Sequence, residues 1–475
     1  MAKLKDIYNE VFEKTWTFKP SGAVKIIHFV NDFVKYLCNK DPDIEMLHKT
    51  MAYYRLGTNS NTNEQIKEDL KDVFKIESTD TLKNIKIFFS SLDLVLDQDN
   101  GIFPSPVNSS LTLTHHNHVS KDFSGQGTGK FIANVLIAME NDEVVRTIRN
   151  SFDDESDNIY MLTYPLLNDN SMGPIPEIDE DFKNRINNIK IMKNVQESFK
   201  NLISYKDEFE KTVFLQRIII LGFFSVFLYL INKNKENNEE FIPILFVGEN
   251  KDPKVREASH SIFSRAKKEM RFIFEKGLKK ELKARGQYNL SSKKEYEDLM
   301  KEWLKEYKES KPQKFEDLWD IFQRNYESVG NSSESFVNAI TETSLSRING
   351  TPQNFIRYIG YGMGLVYPKK GSVGRLGRYY LPSPKFIDML IVVLLNKNEE
   401  ITLKDFFKRA YNQFGIMCGA FPNKEAKLLR NDWQILQITP DDLEENFKDI
   451  KNKLKMMGYV REYSDGVAII SSRGY

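Results

Sequence analysis

The stretch Thr439–Ser471, TPDDLEENFKDIKNKLKMMGYVREYSDGVAIIS, carries the clearest structural signal in the chain. Thr439 is a favourable helix N-cap, and the proline and two acidic residues that follow it suit the first turn of a helix. Apolar residues then recur at 4-3-4-3 spacing until Gly458, which predicts one amphipathic helix. The segments YVREY and VAIIS, joined by the turn residues Ser-Asp-Gly, predict a β-hairpin after it.

Two further helices are predicted before this stretch. Residues 385–396 are apolar on nearly all sides, as expected of the central helix of a small domain. Residues 403–414 lie between Thr402, a candidate N-cap, and Gly415, which ends the pattern. Three helices followed by a hairpin is the order of a winged helix, so the sequence predicts a winged-helix domain at 382–475.

The third helix of this domain offers groups that suit DNA. In DNA-binding winged helices the third helix enters the major groove and the hairpin lies along the backbone. The residues that could contact phosphates or base edges are Lys448, Lys451, Asn452, Lys455 and, on the hairpin, Arg461. The same helix carries Glu444, Glu445 and Asp449, so a solvated helix in a protein-docking domain is an equally open interpretation.

A second candidate DNA site lies just before the winged helix, in RYIGYGMGLVYPKKGSVGRLGRYY at 357–380. Glycines allow close backbone approach, cations neutralise phosphates, and tyrosines can stack on bases. The predicted DNA-binding residues here are Lys369, Lys370, Arg375, Arg378 and Tyr379. The alternatives are a flexible basic linker or a strand pair at the edge of a domain.

Composition limits the class of protein. The chain has 475 residues, enough for two or three domains, and a net charge of +1, so nucleic-acid binding would need a local basic patch. Its two cysteines exclude a disulfide framework and suit a reducing cytosol. The N-terminus lacks an apolar signal region, and abundant Lys, Asn and Ile indicate an AT-rich bacterial genome. We therefore expect a cytoplasmic bacterial protein.

The apolar segment 212–231, TVFLQRIIILGFFSVFLYLI, is either a transmembrane helix or a helix of the protein core. Its uncharged part runs only from Ile218 to Ile231, which is shorter than the roughly 18–20 residues that span a bilayer. The sequence therefore favours a buried core helix and no membrane contact.

The predicted organisation has four parts, and the fold class is mainly α with small β elements. An N-terminal, mixed but mostly helical domain with a histidine- and glycine-rich loop covers 1–176, and a helical domain covers 177–350. A basic, glycine-rich connector covers 351–381, before the winged helix. In the first domain, residues 131–150 are predicted to form one helix.

Two loop motifs in the N-terminal part could bind ligands. His116 and His118 could contribute to a site for zinc or another divalent metal, although no further ligand pair supports it. The glycine-rich start of the 131–150 helix could hold a phosphate at the helix N-terminus, through Gly125, Gly127, Gly129 and Lys130. It is not a P-loop, because the motif's first glycine and its final hydroxyl residue are missing. No catalytic residue is predicted.

The segments LPSPKFIDMLIVVLL, ITLKDFFKRAYNQFGI and MMGYVREYSDGVAII resemble the C-terminal winged helix of accessory subunits in bacterial anti-phage defence systems, including those of phosphorothioation-dependent restriction. The resemblance covers about the last fifth of the chain. It implies a non-catalytic partner of other subunits, such as an ATPase or a nuclease, and it supplies no catalytic residues.

Together these patterns predict a non-catalytic, double-stranded-DNA-contacting and assembly subunit of a bacterial anti-phage complex, with no cofactor. A metal-dependent nuclease or phosphate-binding enzyme that uses the histidine and glycine loop is the first alternative. A protein scaffold without nucleic-acid contact is the second.

Overall fold

The computed structural model of the chain describes residues 4–18, 26–40, 45, 62–78, 81–87, 127–152, 173–235, 239–249, 252–329, 332–347, 352–368, 377–464 and 466–474. Over these ranges the protein is mainly helical and its strands are short, which confirms the predicted fold class at that level.

In the N-terminal part the described helices are α1 (Leu4–Trp16), α2 (Ile26–Cys38), α3 (Thr62–Phe74), α4 (Thr128–Ala138) and α5 (Asp142–Phe152), and residues 81–87 are helical too. The prediction of one helix at 131–150 is wrong. The chain turns a corner between α4 and α5, where Glu140 has a φ of 53°. This corner lets both helices pack on α2, which one straight helix could not do.

The middle part contains α6 (Glu180–Asn187), α7 (Lys190–Ile203), α8 (Lys211–Asn232), β1 (Ile244–Leu245), α9 (Pro253–Ala284), α10 (Lys293–Trp303), α11 (Lys305–Ser310), α12 (Pro312–Val329) and α13 (Ser332–Arg347). The helix α8 contains the long apolar segment. It is long and apolar enough to cross a membrane, but 94% of its most apolar window is buried inside the protein. Helices α4, α7 and α9 pack around it, and so does the helix at 384–394. It is therefore a core helix of this fold, as predicted.

The segment predicted as a connector has regular structure. It contains α14 (Pro352–Gly362), β2 (Val366–Tyr367) and β3 (Tyr379–Tyr380). The two strands are antiparallel, with Val366 opposite Tyr380 and Tyr367 opposite Tyr379. The strand pair was an open alternative in the sequence, whereas α14 was not predicted.

The C-terminal part contains α15 (Pro384–Leu394), β4 (Glu400–Thr402), α16 (Leu403–Phe414), β5 (Ile416–Met417), α17 (Pro422–Asn431), α18 (Pro440–Met456), β6 (Val460–Glu462) and β7 (Ala468–Ser471). Strand β7 is central in an antiparallel sheet of order β4-β7-β6. Strand β5 instead pairs in parallel with β1 of the middle part, with Ile244 opposite Ile416.

The helix boundaries here follow from their capping residues. The Thr402 hydroxyl accepts from the Asp405 amide, 3.1 Å away, and Gly415 ends α16 in the left-handed conformation. Thr439 and Asp442 form a reciprocal capping box at the start of α18. These three signals were readable in the sequence, and the structure confirms them.

A buried ion pair joins the middle part to the C-terminal part. The Arg217 guanidinium on α8 donates from Nε and Nη2 to the two carboxylate oxygens of Asp388 on α15, at 2.7 and 2.9 Å. The Tyr459 hydroxyl donates to the same carboxylate, and Arg217 lies 3.5 Å from the centroid of the Phe209 ring. Only 6% of the Arg217 side chain is exposed.

Most of the described buried apolar side chains form one continuous cluster that extends from Leu4 to Ile470, while Leu70 and Leu82 form a separate small one. The large cluster therefore crosses each boundary between the four predicted parts. The four-part division stays a prediction.

Candidate nucleic-acid interface

Hydrogen bonds tie the strand pair β2–β3 to the N-terminal half of α9 and to the residues that follow β1. The Tyr380 amide donates to the Ser259 hydroxyl at 3.0 Å, and the Val247 amide donates to the Tyr380 carbonyl at 2.9 Å. Gly377, just before β3, has a φ of 62°, and a Cβ there would collide with the His260 ring. A glycine is needed at this position for both reasons.

The His260 ring also places Arg378. Its Nδ1 lies 2.9 Å from the Arg378 carbonyl, which can only accept, so Nδ1 is the protonated nitrogen. This contact puts the predicted DNA-binding residue Arg378 beside the exposed side of α9.

Four cations from three parts of the chain lie around β3: Lys267 on α9, Arg357 on α14 and Arg378 next to β3 are close enough to influence one another, and Arg256 on α9 lies beside Tyr379. We call them the cationic cluster. Burial lowers the pKa of Lys267, and the nearby Arg378 and Arg357 lower it further. Burial and the nearby Arg357 likewise lower the pKa of Arg378.

The cluster has no counter-charge within the part of the chain that the structure describes. No carboxylate there lies within salt-bridge distance of any of its four members, and the Nε atoms of Arg256 and Arg378 are buried without a hydrogen-bond partner. Arg271, one turn beyond Lys267, is by contrast paired with Glu275 and Glu342. The charge of Arg271 is therefore compensated, whereas that of Lys267 is not compensated by any carboxylate among the described residues.

Tyr379 is buried, whereas the base stacking predicted for it requires an exposed ring. Its ring is only 4% exposed and is not available to stack on a base. Burial raises the pKa of its hydroxyl and the nearby Arg256 lowers it, so the hydroxyl lies beside a member of the cluster. Two other tyrosines at this place, Tyr358 and Tyr367, are 42% and 43% exposed.

The remaining predicted residues of this segment, Lys369, Lys370 and Arg375, lie outside the described residues. The described chain reaches this point at Pro368 and resumes at Gly377. Arg256, Lys267 and Arg357 were not among the predicted site residues. Two of them are more than 100 positions from Arg378, and no local pattern in the sequence links these residues.

The predicted cations of the third helix, α18, are paired with glutamates. Lys448 lies 2.9 Å from Glu444, while Lys451 and Lys455 lie 2.7 and 3.3 Å from Glu462 on β6. Asn452 and Arg461 are exposed. Each glutamate reduces the attraction that its lysine offers to a phosphate, and DNA contact by this helix stays a prediction.

Another face of α18 is covered by the middle part of the chain. The buried Asn446 accepts from the Gly248 amide at 2.8 Å and donates to the Phe246 and Cys418 carbonyls. Lys453 is buried as well and lies 3.0 Å from Glu249. These contacts leave only part of the helix surface accessible to a partner.

The glycine-rich helix start already holds an internal carboxylate. The amides of Gly129 and Lys130 donate to one oxygen of Asp32 on α2, at 3.1 and 3.2 Å. Burial raises the pKa of Asp32, and the two amides act in the opposite direction. A phosphate predicted at Gly127, Gly129 and Lys130 would have to displace Asp32. Gly125 lies outside the described residues.

The metal-site prediction at His116 and His118 also falls outside the described residues. Within the described ranges there is no group of three or more His, Cys, Asp or Glu side chains that could hold a metal ion.

An apolar cavity of about 200 Å³ lies between α16 and α17, with Phe407, Ile416 and Leu428 in its wall. Its one carboxylate, Glu425, has a pKa raised by burial. That carboxylate accepts from the Gly419 and Phe421 amides at 2.6 and 3.0 Å, so it holds the loop before α17 in place.

Comparison of the chain with protein-family models, with curated proteins and with solved structures gives no match.

The cluster should give the stability a measurable pH dependence. Because the pKa of Lys267 is lowered from its ordinary 10.5, the unfolded state binds more protons than the folded state between the two values. The free energy of unfolding should therefore rise with pH across that window. We expect Lys267→Met to abolish this contribution, so wild type gains stability relative to the variant as pH rises.

Urea unfolding of both proteins from about pH 8 to about pH 11 measures this difference. Other groups titrate equally in the two proteins and cancel. A difference that stays constant with pH would contradict the lowered pKa of Lys267.

Proposed function

We propose that the chain is a non-catalytic subunit that contacts DNA through the cationic cluster. The observation that carries this proposal is the closeness of Lys267, Arg357 and Arg378, with Arg256 beside the adjacent Tyr379, and none of the four has a carboxylate within salt-bridge distance among the described residues. Partly buried like charges repel each other, and this repulsion destabilises the folded state. A polyanion bound next to these cations offsets that repulsion.

DNA is the polyanion that suits this arrangement best. Its closely spaced phosphates reward several cations held at one place, and releasing its counterions drives binding. The chain as a whole has a net charge of +1, so general attraction supplies little. The local cluster therefore supplies the attraction.

We further propose that residues 382–475 form a winged helix. The support is the sheet order β4-β7-β6, with the β6–β7 hairpin after α18, together with the preceding α15 and α16. Helix α17 is an addition to that plan. Since α18 gives one face to the middle part and pairs its lysines with glutamates, we place the main DNA contact at the cationic cluster.

The subunit role rests on the sequence. The resemblance to accessory subunits of defence systems and the expected protein partners stay predictions, and the proposal of DNA contact does not depend on them.

Binding of the full chain to fluorescent DNA oligonucleotides across a salt series tests the proposal. We expect single substitutions Lys267→Ala, Arg357→Ala and Arg378→Ala each to lower the affinity about tenfold at ~0.1 M salt. Each should also reduce the slope of log affinity against log salt by about 1, because one phosphate contact is lost.

Two controls make the result specific. Arg146→Ala removes an equal charge from an exposed pair on α5, where both side chains are about 70% exposed, and should leave the affinity unchanged. Lys448→Ala tests the third helix. If the α18 variant loses binding while the cluster variants do not, the site is wrongly placed. If wild type binds neither single-stranded nor duplex DNA at low salt, the proposed function is wrong.

A further inference from the structure

Two partly exposed tyrosines lie against the cationic cluster. Among the described residues, four aromatic side chains are more than a third exposed, and Tyr358 and Tyr367 are two of them. The others, Phe272 and Tyr463, lie on the outer side of α9 and at the end of the β6–β7 hairpin. Half of these exposed rings are therefore carried by α14 and β2, the elements next to the cluster.

Both rings are tied to members of the cluster. The Arg357 guanidinium lies 4.5 Å from the centroid of the Tyr358 ring, and Tyr358 is close enough to Arg378 to influence its pKa. The Tyr367 ring lies 5.8 Å from the ring of Tyr379, whose hydroxyl is close enough to Arg256 for that cation to lower its pKa. Each exposed ring thus lies beside cations that can hold a phosphate.

The two backbone elements that carry the rings have fixed positions. Tyr358 is on α14, which packs on α9, and Tyr367 is on β2, paired with β3. Rings on such elements lose little conformational freedom on binding, and a tyrosine has few rotatable bonds to order. They are suited to act as stacking surfaces.

Stacking distinguishes the two forms of DNA. In a duplex each base is already stacked on its neighbours and paired, so an aromatic side chain can reach a base face only if the duplex is opened. In a single strand the bases can turn out and stack on aromatic rings while cations follow the phosphates. A site with cations alone would not make this distinction.

We propose that the cationic cluster, with Tyr358 and Tyr367, binds single-stranded DNA in preference to duplex DNA. Lys267, Arg357 and Arg378 contact phosphates, and the two tyrosines each stack on a base. This inference rests on the proposed function, and it replaces the double-stranded partner expected from the sequence.

The test compares a labelled oligo-dT of about 20 nucleotides with a duplex of the same length, at equal salt, by fluorescence anisotropy of the full chain. We expect wild type to bind the single strand more tightly. Tyr358→Leu and Tyr367→Leu remove the ring and keep an apolar side chain. Each should lower the affinity for the single strand by about fivefold to a hundredfold, and more than for the duplex.

Three further variants complete the design. Tyr358→Phe and Tyr367→Phe keep a ring and should retain most of the single-strand affinity, which separates stacking from loss of fold. Tyr463→Leu changes a tyrosine of similar exposure, 48%, on the distant hairpin and should have no effect.

The outcomes separate the inference from the function on which it rests. Equal or tighter binding of the duplex by wild type overturns the single-strand preference and leaves the DNA proposal intact. Equal losses for both forms of DNA in the leucine variants overturn the stacking role. Absence of binding to either form at low salt overturns the proposed function, and the inference with it.

Discussion

Replacing Asp388 by alanine is expected to lower the free energy of unfolding by about 3 kcal/mol or more. The substitution removes both acceptors of the Arg217 guanidinium, whose side chain is only 6% exposed. One of its nitrogens, Nη1, already lacks a hydrogen-bond partner among the described residues. The variant would leave a buried cation without compensation, held only by its contact with the Phe209 ring.

The matched control removes both charges. Arg217→Met combined with Asp388→Leu replaces the pair by apolar side chains of similar size, and such replacements are often neutral or stabilising. Chemical denaturation of the three proteins gives the comparison. If the double variant is as unstable as Asp388→Ala, side-chain packing and the contact with Tyr459 contribute more to the free energy of unfolding than the unpaired charge does.

Gly129→Ala is expected to be similarly destabilising, by about 3 kcal/mol. A Cβ at this position would lie far inside van der Waals contact with the backbone nitrogen of Phe33 and the backbone oxygen of Phe29. Both are atoms of α2, so neither can move as a flexible side chain would. The helices α2 and α4 would have to separate, and the hydrogen bond from the Gly129 amide to Asp32 would lengthen.

Lys130→Ala provides the control for this variant, because the next position on α4 is exposed and its ammonium lies 4.6 Å from the centroid of the Tyr36 ring. We expect it to change the stability by less than about 0.5 kcal/mol. Thermal unfolding followed by circular dichroism measures both. A Gly129→Ala variant with the stability of wild type would show that the two helices are not packed as closely as described.

Local signals in the sequence predicted the helices of the C-terminal part well. Thr402, Gly415 and Thr439 act through neighbouring backbone groups, so their effect can be read from a few residues. Strand β4 was missed because only its pairing with the distant β7 makes it a strand. Helix α17 was missed because short helices with mixed composition have a weak periodic signal.

The cationic cluster shows the same limit. The sequence pointed to Arg378 because basic residues, glycines and tyrosines follow one another there. Lys267 looked like one charge among many on a long helix. Only the packing of α9 against α14 and β3 brings it close to Arg357 and Arg378. That arrangement depends on tertiary contacts, which no local pattern contains.

The position of α8 has a consequence for how the chain is made on the ribosome. This apolar helix ends at Asn232, yet two of the helices that cover it, α14 and α15, end at Gly362 and Leu394. At 5–20 residues per second, synthesis needs on the order of 10–30 s to reach α15. During that interval the apolar surface of α8 lacks the contacts that α14 and α15 later make with it. The part of α8 that α14 and α15 cover therefore gains these partners only after most of the chain has been made.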